Sequence, residues 1–226
     1  VLLSGIVRAV ILPATPLLVP GVTPGLLADP LADVREAVAR ALAELTAGGP
    51  LPLVLANGPV LRHGHLRPTL AGSGIGDRWL PEPPTGSGLR LSSDSGRRTG
   101  AGDHRADDAR PAAGTGASVA LLALADVLGP RAADVETLEV PPSTVPLDGG
   151  VLELLRRAGG LVVAGGGAPG GQDSGPDVLT QGIRAALRAA GADEWTAEVQ
   201  VFEQRHDHLP PEYRVTTLSD RRIAAC

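Results

Sequence analysis

Apolar and polar positions alternate along this chain in two rhythms. Ile6 to Leu12 is a short, β-branched-rich apolar run ended by Pro13, the pattern of a buried strand. A proline-punctuated loop follows, and Asp29-Pro30 reads as an N-cap and first-turn pair. Behind it Val34, Val38, Leu42 and Leu45 recur at helical spacing, and Gly48-Gly49 closes the helix. Leu51 to Ala56 is a second apolar strand, stopped by Asn57-Gly58-Pro59. Strand, helix, strand is the grammar of a parallel sheet covered by helices.

The second half repeats that grammar. Ala117 to Leu128 reads as a helix ended by Gly129-Pro130, and Asp134 to Val140 alternates as a strand should. Asp148 caps a helix carrying Val151, Leu152 and Leu155, which Gly159-Gly160 ends. Leu161 to Ala164 is a third buried strand, a glycine loop follows, and Pro176 opens a helix with Val178, Leu179, Ile183 and Leu187 on one face. Thr196 to Phe202 and Tyr213 to Leu218 are strand candidates. Residues 82–116 differ, holding no Val, Ile or aromatic residue, and read as a flexible polar excursion. The expectation is a single α/β domain over residues 1–226, with a central, mostly parallel sheet flanked by helices.

Composition narrows the function classes. With 43% hydrophobic and 20% charged residues, the 226-residue chain can bury a core, which excludes wholesale disorder. Two Trp, one Tyr, one Phe and no Met leave Leu, Val, Ile and Ala to fill it. The basic residues are all Arg, scattered under a net charge of −5, so no basic stripe offers itself to nucleic acid. Arg8 and the prolines at 13, 16 and 20 interrupt the apolar start, so a buried strand is expected there rather than a signal peptide or membrane span. The lone Cys226 permits no intrachain disulfide and fits a cytoplasmic setting.

Four groups of residues carry candidate chemistry. Gly165-Gly166-Gly167-Ala168-Pro169-Gly170 contains a G-x-G-x-x-G after a strand, which suggests nucleotide binding. Pro169 and a further loop before the helix at Pro176 argue against that reading. His63 and His65 at i and i+2 would share one face of a strand, and with them Fe(II) or Zn could find imidazole ligands. His104, His206 and His208 read more plainly as solvated loop histidines. Gly114-Thr115-Gly116-Ala117-Ser118 precedes a helix, where it presents backbone N–H groups to an anion or simply caps the helix. No G-x-S-x-G elbow occurs.

Several of these segments, in order, resemble the actinobacterial, B-subunit-like family of class III extradiol ring-cleavage dioxygenases. Pro13-Ala14-Thr15-Pro16-Leu17-Leu18-Val19-Pro20 is similar to that family's Pro-His-Pro-Pro-Leu-Leu-Val-Pro, and Leu161 to Ile183 to its strand ending in Gly-Asp-Gly-Ser-Ala with a polar loop, a Pro and a helix. Leu53 to Pro59, Gly114 to Ser118 and Tyr213 to Thr217 also have counterparts there. The resemblance implies a pocket at the strand ends, self-association, and Fe(II) held by two His and a carboxylate. Ala14 stands at the motif's His, Gly166 at its Asp, and Asn57 ends the second strand, so the family's ligand positions are not retained.

The expectation is therefore a diverged relative that binds a small cyclic or aromatic metabolite without the family's iron and without ring cleavage. Thr15, Asn57 and His65 are the expected acid–base or hydrogen-bonding residues. Ala14, Pro16, Gly58, His63, Gly165, Gly166 and Gly167 are expected to form the pocket. No metal ligand set is assigned, and iron or zinc enters only if His63 and His65 rebuild a site. The alternatives are a non-catalytic binding or assembly protein, a dioxygenase with such a rebuilt site, and a nucleotide binder using the glycine loop.

Overall fold

In strand β1 (Val7–Pro13), Val10 and Leu12 enter one apolar core while Ala9 enters a second. The same period of two sorts β2 (Leu53–Asn57) and β5 (Leu161–Gly165): Val54, Ala56, Val162 and Ala164 face the first core, Leu53, Leu55, Leu161 and Val163 the second. Strands apolar on both faces must be covered on both faces, and helices do this.

The computed structural model describes residues 6–22, 29–80, 110–165, 179–206 and 208–220. Among them are four α-helices and seven strands, and the strands form one mixed sheet in the order β3-β4-β2-β5-β1-β7-β6. The other strands are β3 (Arg62–Gly64), β4 (Thr137–Val140), β6 (Trp195–Glu203) and β7 (Glu212–Asp220). Helices α1 (Ala32–Thr46) and α2 (Thr115–Leu128) cover the first face, and α3 (Gly149–Arg157) and α4 (Gln181–Ala189) the second. By length and composition the stretch Thr115–Asp134 is apolar enough to cross a membrane; here α2 packs against α1, β2 and β5, where apolar side chains all round are expected.

The α/β class is as expected, but the sheet is less parallel than the sequence suggested. β4, β2, β5 and β1 run parallel, whereas β3, β7 and β6 are antiparallel to their neighbours. The terminal strands pair as a hairpin over nine residue pairs, and its inner strand adds antiparallel to β1. β5 lies between β1 and β2, so these two strands, consecutive in sequence, are not neighbours in the sheet.

Element ends shift where caps were misread. Asp148 does cap α3, its Oδ1 accepting from Val151 N at 2.9 Å. Asp29 instead accepts from Leu31 N at 3.0 Å, one turn position outside α1, whose N-cap is Leu31. Helix α4 begins at Gln181, not Pro176, because Thr180 Oγ1 caps it by accepting from Ile183 N at 3.4 Å. Leu179 consequently precedes the helix, and Pro176 and Val178 lie outside the described residues. Gly182 in α4's first turn is required by packing: a Cβ there would sit 1.9 Å from Pro141 O. The polar excursion lies outside the described residues up to 109, while its last part belongs to the fold, with Ala113 buried and Thr115 opening α2.

Candidate functional site

A cavity of about 890 Å³ opens at the carboxyl ends of the parallel strands. The end of β1 supplies Ala14, Thr15, Pro16 and Leu17; the end of β2 supplies Asn57, Gly58 and Pro59; β5 supplies Ala164. Opposite them stands the first turn of α2, with Gly114, Thr115 and Gly116. Thr69, Gly72 and Ser73 form one side wall, and His208, Leu209, Pro210 and Tyr213 another.

Small residues bring these pieces together. At Gly116 a Cβ would meet the methyls of Ala164 at 3.3 Å, Ala14 at 3.5 Å and Ala56 at 4.0 Å. Three strand ends thus close on one helix turn without a side chain between them. Gly114, the N-cap, has no side chain to bond the first-turn N–H groups, which have no acceptors within the helix. That turn therefore faces the cavity with the positive end of the helix dipole.

Glu139 holds the turn from behind. Its side chain is fully buried on β4; Oε1 accepts from Gly114 N at 2.7 Å and Oε2 from Arg62 Nε at 2.6 Å. Arg62 Nη2 also donates to Ala112 O at 2.8 Å, so carboxylate and guanidinium together clamp the segment entering α2. Gly58 makes room, since a Cβ there would lie 2.7 Å from Glu139 Cβ. Sequence reasoning did not single out Glu139, one residue within the alternating run Asp134 to Val140. A carboxylate inside an apolar strand was the only signal.

The hydroxyl and amide groups of the walls are engaged with the protein. Thr15 Oγ1 accepts from Leu17 N at 3.4 Å and caps the short turn Pro16–Leu18. Thr180 Oγ1 donates to Asn57 Oδ1 at 2.6 Å, tying the end of β2 to the start of α4. Ser73 Oγ and Thr115 Oγ1 share a hydrogen bond of 3.1 Å. Thr69 Oγ1 donates to Asp77 Oδ1 at 2.7 Å, and Arg67 Nη1 donates to Asp77 Oδ2 at 2.9 Å. The Thr69 hydroxyl first, then Arg67, holds the Asp77 carboxyl below the usual carboxylate range.

Of the residues singled out in the sequence, Ala14, Thr15, Pro16, Asn57 and Gly58 line this cavity. Gly165 ends β5 beside Pro13 in the β1 register, outside the lining, and Gly166 and Gly167 lie outside the described residues. His63 and His65 are a correction: both are exposed and neither lines the cavity. β3 is an edge strand and ends at Gly64, whose φ of +141° breaks the alternation that would have put both rings on one face. His208, read as a solvated loop residue, is exposed but at the cavity wall. Ser118 is no cap: buried inside α2, its Oγ accepts from Thr69 N at 2.9 Å.

A class III iron site asks for two imidazoles and a carboxylate converging on one point. Among the described residues no three His, Cys, Asp or Glu side chains gather in this way. The described cavity wall has the imidazole of His208, while the carboxylate behind it, Glu139, is committed to Arg62 and Gly114. These donors do not fit that iron. A dinucleotide loop fares no better at its helix, which starts at Gln181, further from Gly170 than Pro176 is. Compared with known proteins, the chain matches no family model, no curated protein and no solved structure.

Proposed function

We propose that this protein binds a small ring compound in the cavity at the ends of β1, β2 and β5. The scaffold is read as a diverged relative of the B-subunit-like extradiol dioxygenase family, one that does not cleave rings. The observation that carries the reading is the cavity itself: about 890 Å³, walled mainly by Ala, Pro, Leu and Gly, with a few polar groups. That size and lining suit a metabolite-sized ligand, and strand carboxyl ends are where open α/β sheets take theirs. The α2 first turn provides N–H donors for an oxygen substituent on the ring, while Ala14, Pro16 and Leu17 contact its apolar body. The hydroxyls of Thr15, Thr69, Ser73 and Thr115 and the Asn57 carbonyl are tied to protein partners, so they shape the wall rather than move protons. Binding is therefore favoured over turnover.

The test is ligand-observed NMR with phenols, catechols, aromatic carboxylates and nucleosides, on the wild type and on Gly72→Phe. Gly72 lines the cavity, and a Cβ there would meet only Thr115 Oγ1, at 3.6 Å, so a side chain can start there without displacing backbone. Saturation transfer to phenols or aromatic carboxylates is expected in the wild type and is expected to vanish in a variant with unchanged circular dichroism. Binding that survives Gly72→Phe would place the ligand elsewhere, and nucleoside binding alone would favour the glycine-loop reading.

A further inference from the structure

The two edges of the sheet are protected very differently. At one end β3 is three residues long and stops at a glycine with positive φ, which leaves little for another strand to join. At the other end β6 runs for nine residues, Trp195–Glu203, and among the described residues no strand lies beyond it. It has no proline and no bulge in its register with β7, and its charged guards are two carboxylates, Glu198 near its middle and Glu203 at its end. Val199 and Val201 are 49% and 51% exposed, so an aliphatic row stands in the open along this edge.

The hydrogen-bond phase of β6 can be read from its ends. Gln204 N donates to Pro211 O at 2.7 Å, in register with the β6–β7 pairs. In an antiparallel ladder bonded and non-bonded pairs alternate, so Phe202, Gln200, Glu198 and Thr196 bond to β7. On the far side of β7, Asp220 N donates to Ile6 O at 3.1 Å, the phase this alternation requires. Trp195, Ala197, Val199, Val201 and Glu203 therefore turn their N–H and C=O groups away from β7, towards the side where no described strand lies.

We infer that β6 pairs antiparallel with β6 of a second copy about a two-fold axis at Val199, joining the two sheets into one. The sequence of the strand selects this occupant and this register. Centred on Val199, the outward-bonding residues meet outward-bonding residues: Val199 meets Val199 of the copy, Ala197 meets Val201, and Trp195 meets Glu203. The aliphatic row pairs with itself, and Glu198 lies opposite Gln200, whose amide can donate to it. Shifting the axis to Glu198 would set two carboxylates against each other, and shifting it to Gln200 would set carboxylates against Phe202 and Ala197. The chosen register also uses the whole strand, giving about ten interchain backbone hydrogen bonds.

The test is sedimentation equilibrium of the full chain from about 1 to 100 μM, with Val199→Pro as the variant. The N–H that proline removes faces away from β7, so the hairpin keeps its ladder while the interface loses its central pair. A wild-type dimer is expected, with Val199→Pro weakening it at least about 100-fold at unchanged circular dichroism. Should that variant misfold, cross-linking in a Cys226→Ser background reads the register directly. Val199→Cys should form a disulfide dimer by itself; Ala197→Cys should do so only when mixed with Val201→Cys. A chain that stays monomeric at 100 μM, or a dimer that Val199→Pro leaves intact, overturns the inference. Cross-linking by Ala197→Cys alone, or none by Val199→Cys, does the same.

Discussion

Removing the Glu139 carboxylate is the perturbation that probes the candidate site most directly. In Glu139→Ala the half-buried Gly114 N–H loses its buried acceptor at 2.7 Å, which costs about 1–3 kcal/mol. Arg62 loses its partner at 2.6 Å, but its side chain is 34% exposed, so water offsets much of that loss and about 1 kcal/mol remains. The void left by the shortened side chain adds about 1 kcal/mol. The sum is about 4 kcal/mol, or a midpoint about 8–16 °C lower for a domain of this size. Glu139→Gln keeps an acceptor for Gly114 and gives up the charge, so about 2 kcal/mol is expected. Urea unfolding of both variants, with Arg62→Ala and the double variant, closes a cycle whose coupling should reach about 1–2 kcal/mol. A loss below about 1 kcal/mol in Glu139→Ala at unchanged m-value would refute the clamp. So would equal losses in the Ala and Gln variants, since the Gly114 acceptor would then carry no weight.

Two further outcomes follow from the same geometry. Gly182→Ala forces a methyl to within 1.9 Å of Pro141 O and should cost about 3 kcal/mol in urea unfolding, while Gly149→Ala, with open space at its Cβ position, should be neutral or slightly stabilising. Parity between the two would contradict the packing of α4 on the β4 exit. Asp77 is held below the usual carboxylate range, chiefly by the Thr69 hydroxyl and then by Arg67. The sign is that of a depressed acid: its stabilisation is complete above the unfolded value of about 3.9 and is lost as pH falls through the lower folded value. Asp77→Asn should therefore be less stable than the wild type at about pH 6, with the gap closing towards about pH 2.5. A gap that is constant over that range would refute the assignment.

The elements legible in the sequence were those set by local physics. Val34, Val38, Leu42 and Leu45 gave α1, Asp148 gave the start of α3, and the apolar runs gave the central strands. The strand-end motifs Ala14-Thr15-Pro16 and Asn57-Gly58 pointed to the cavity wall, because strand carboxyl ends in such sheets converge. Long-range choices were not legible. The Arg62–Glu139 pair joins residues 77 apart, and nothing near either one announces the other. His63 and His65 had the right spacing, but whether alternation continues past Gly64 depends on a backbone angle. The antiparallel hairpin was missed for a related reason. Two strand-like segments after the last helix do not say whether they join the sheet in parallel or fold back on each other.

The placement of β5 carries a consequence for how the chain reaches this structure. The strand at the middle of the parallel set is the last of that set to be synthesised, and its neighbours β1 and β2 cannot pair with each other in its absence. Until Leu161–Gly165 emerges, β1 and β2 lack the strand that joins them in the folded sheet. Such late, non-local closure makes a fold slow and leaves its intermediates prone to association. Release of the chain before β5 should thus give aggregates rather than a smaller stable domain, and refolding from urea should show one slow phase in which the whole sheet forms together.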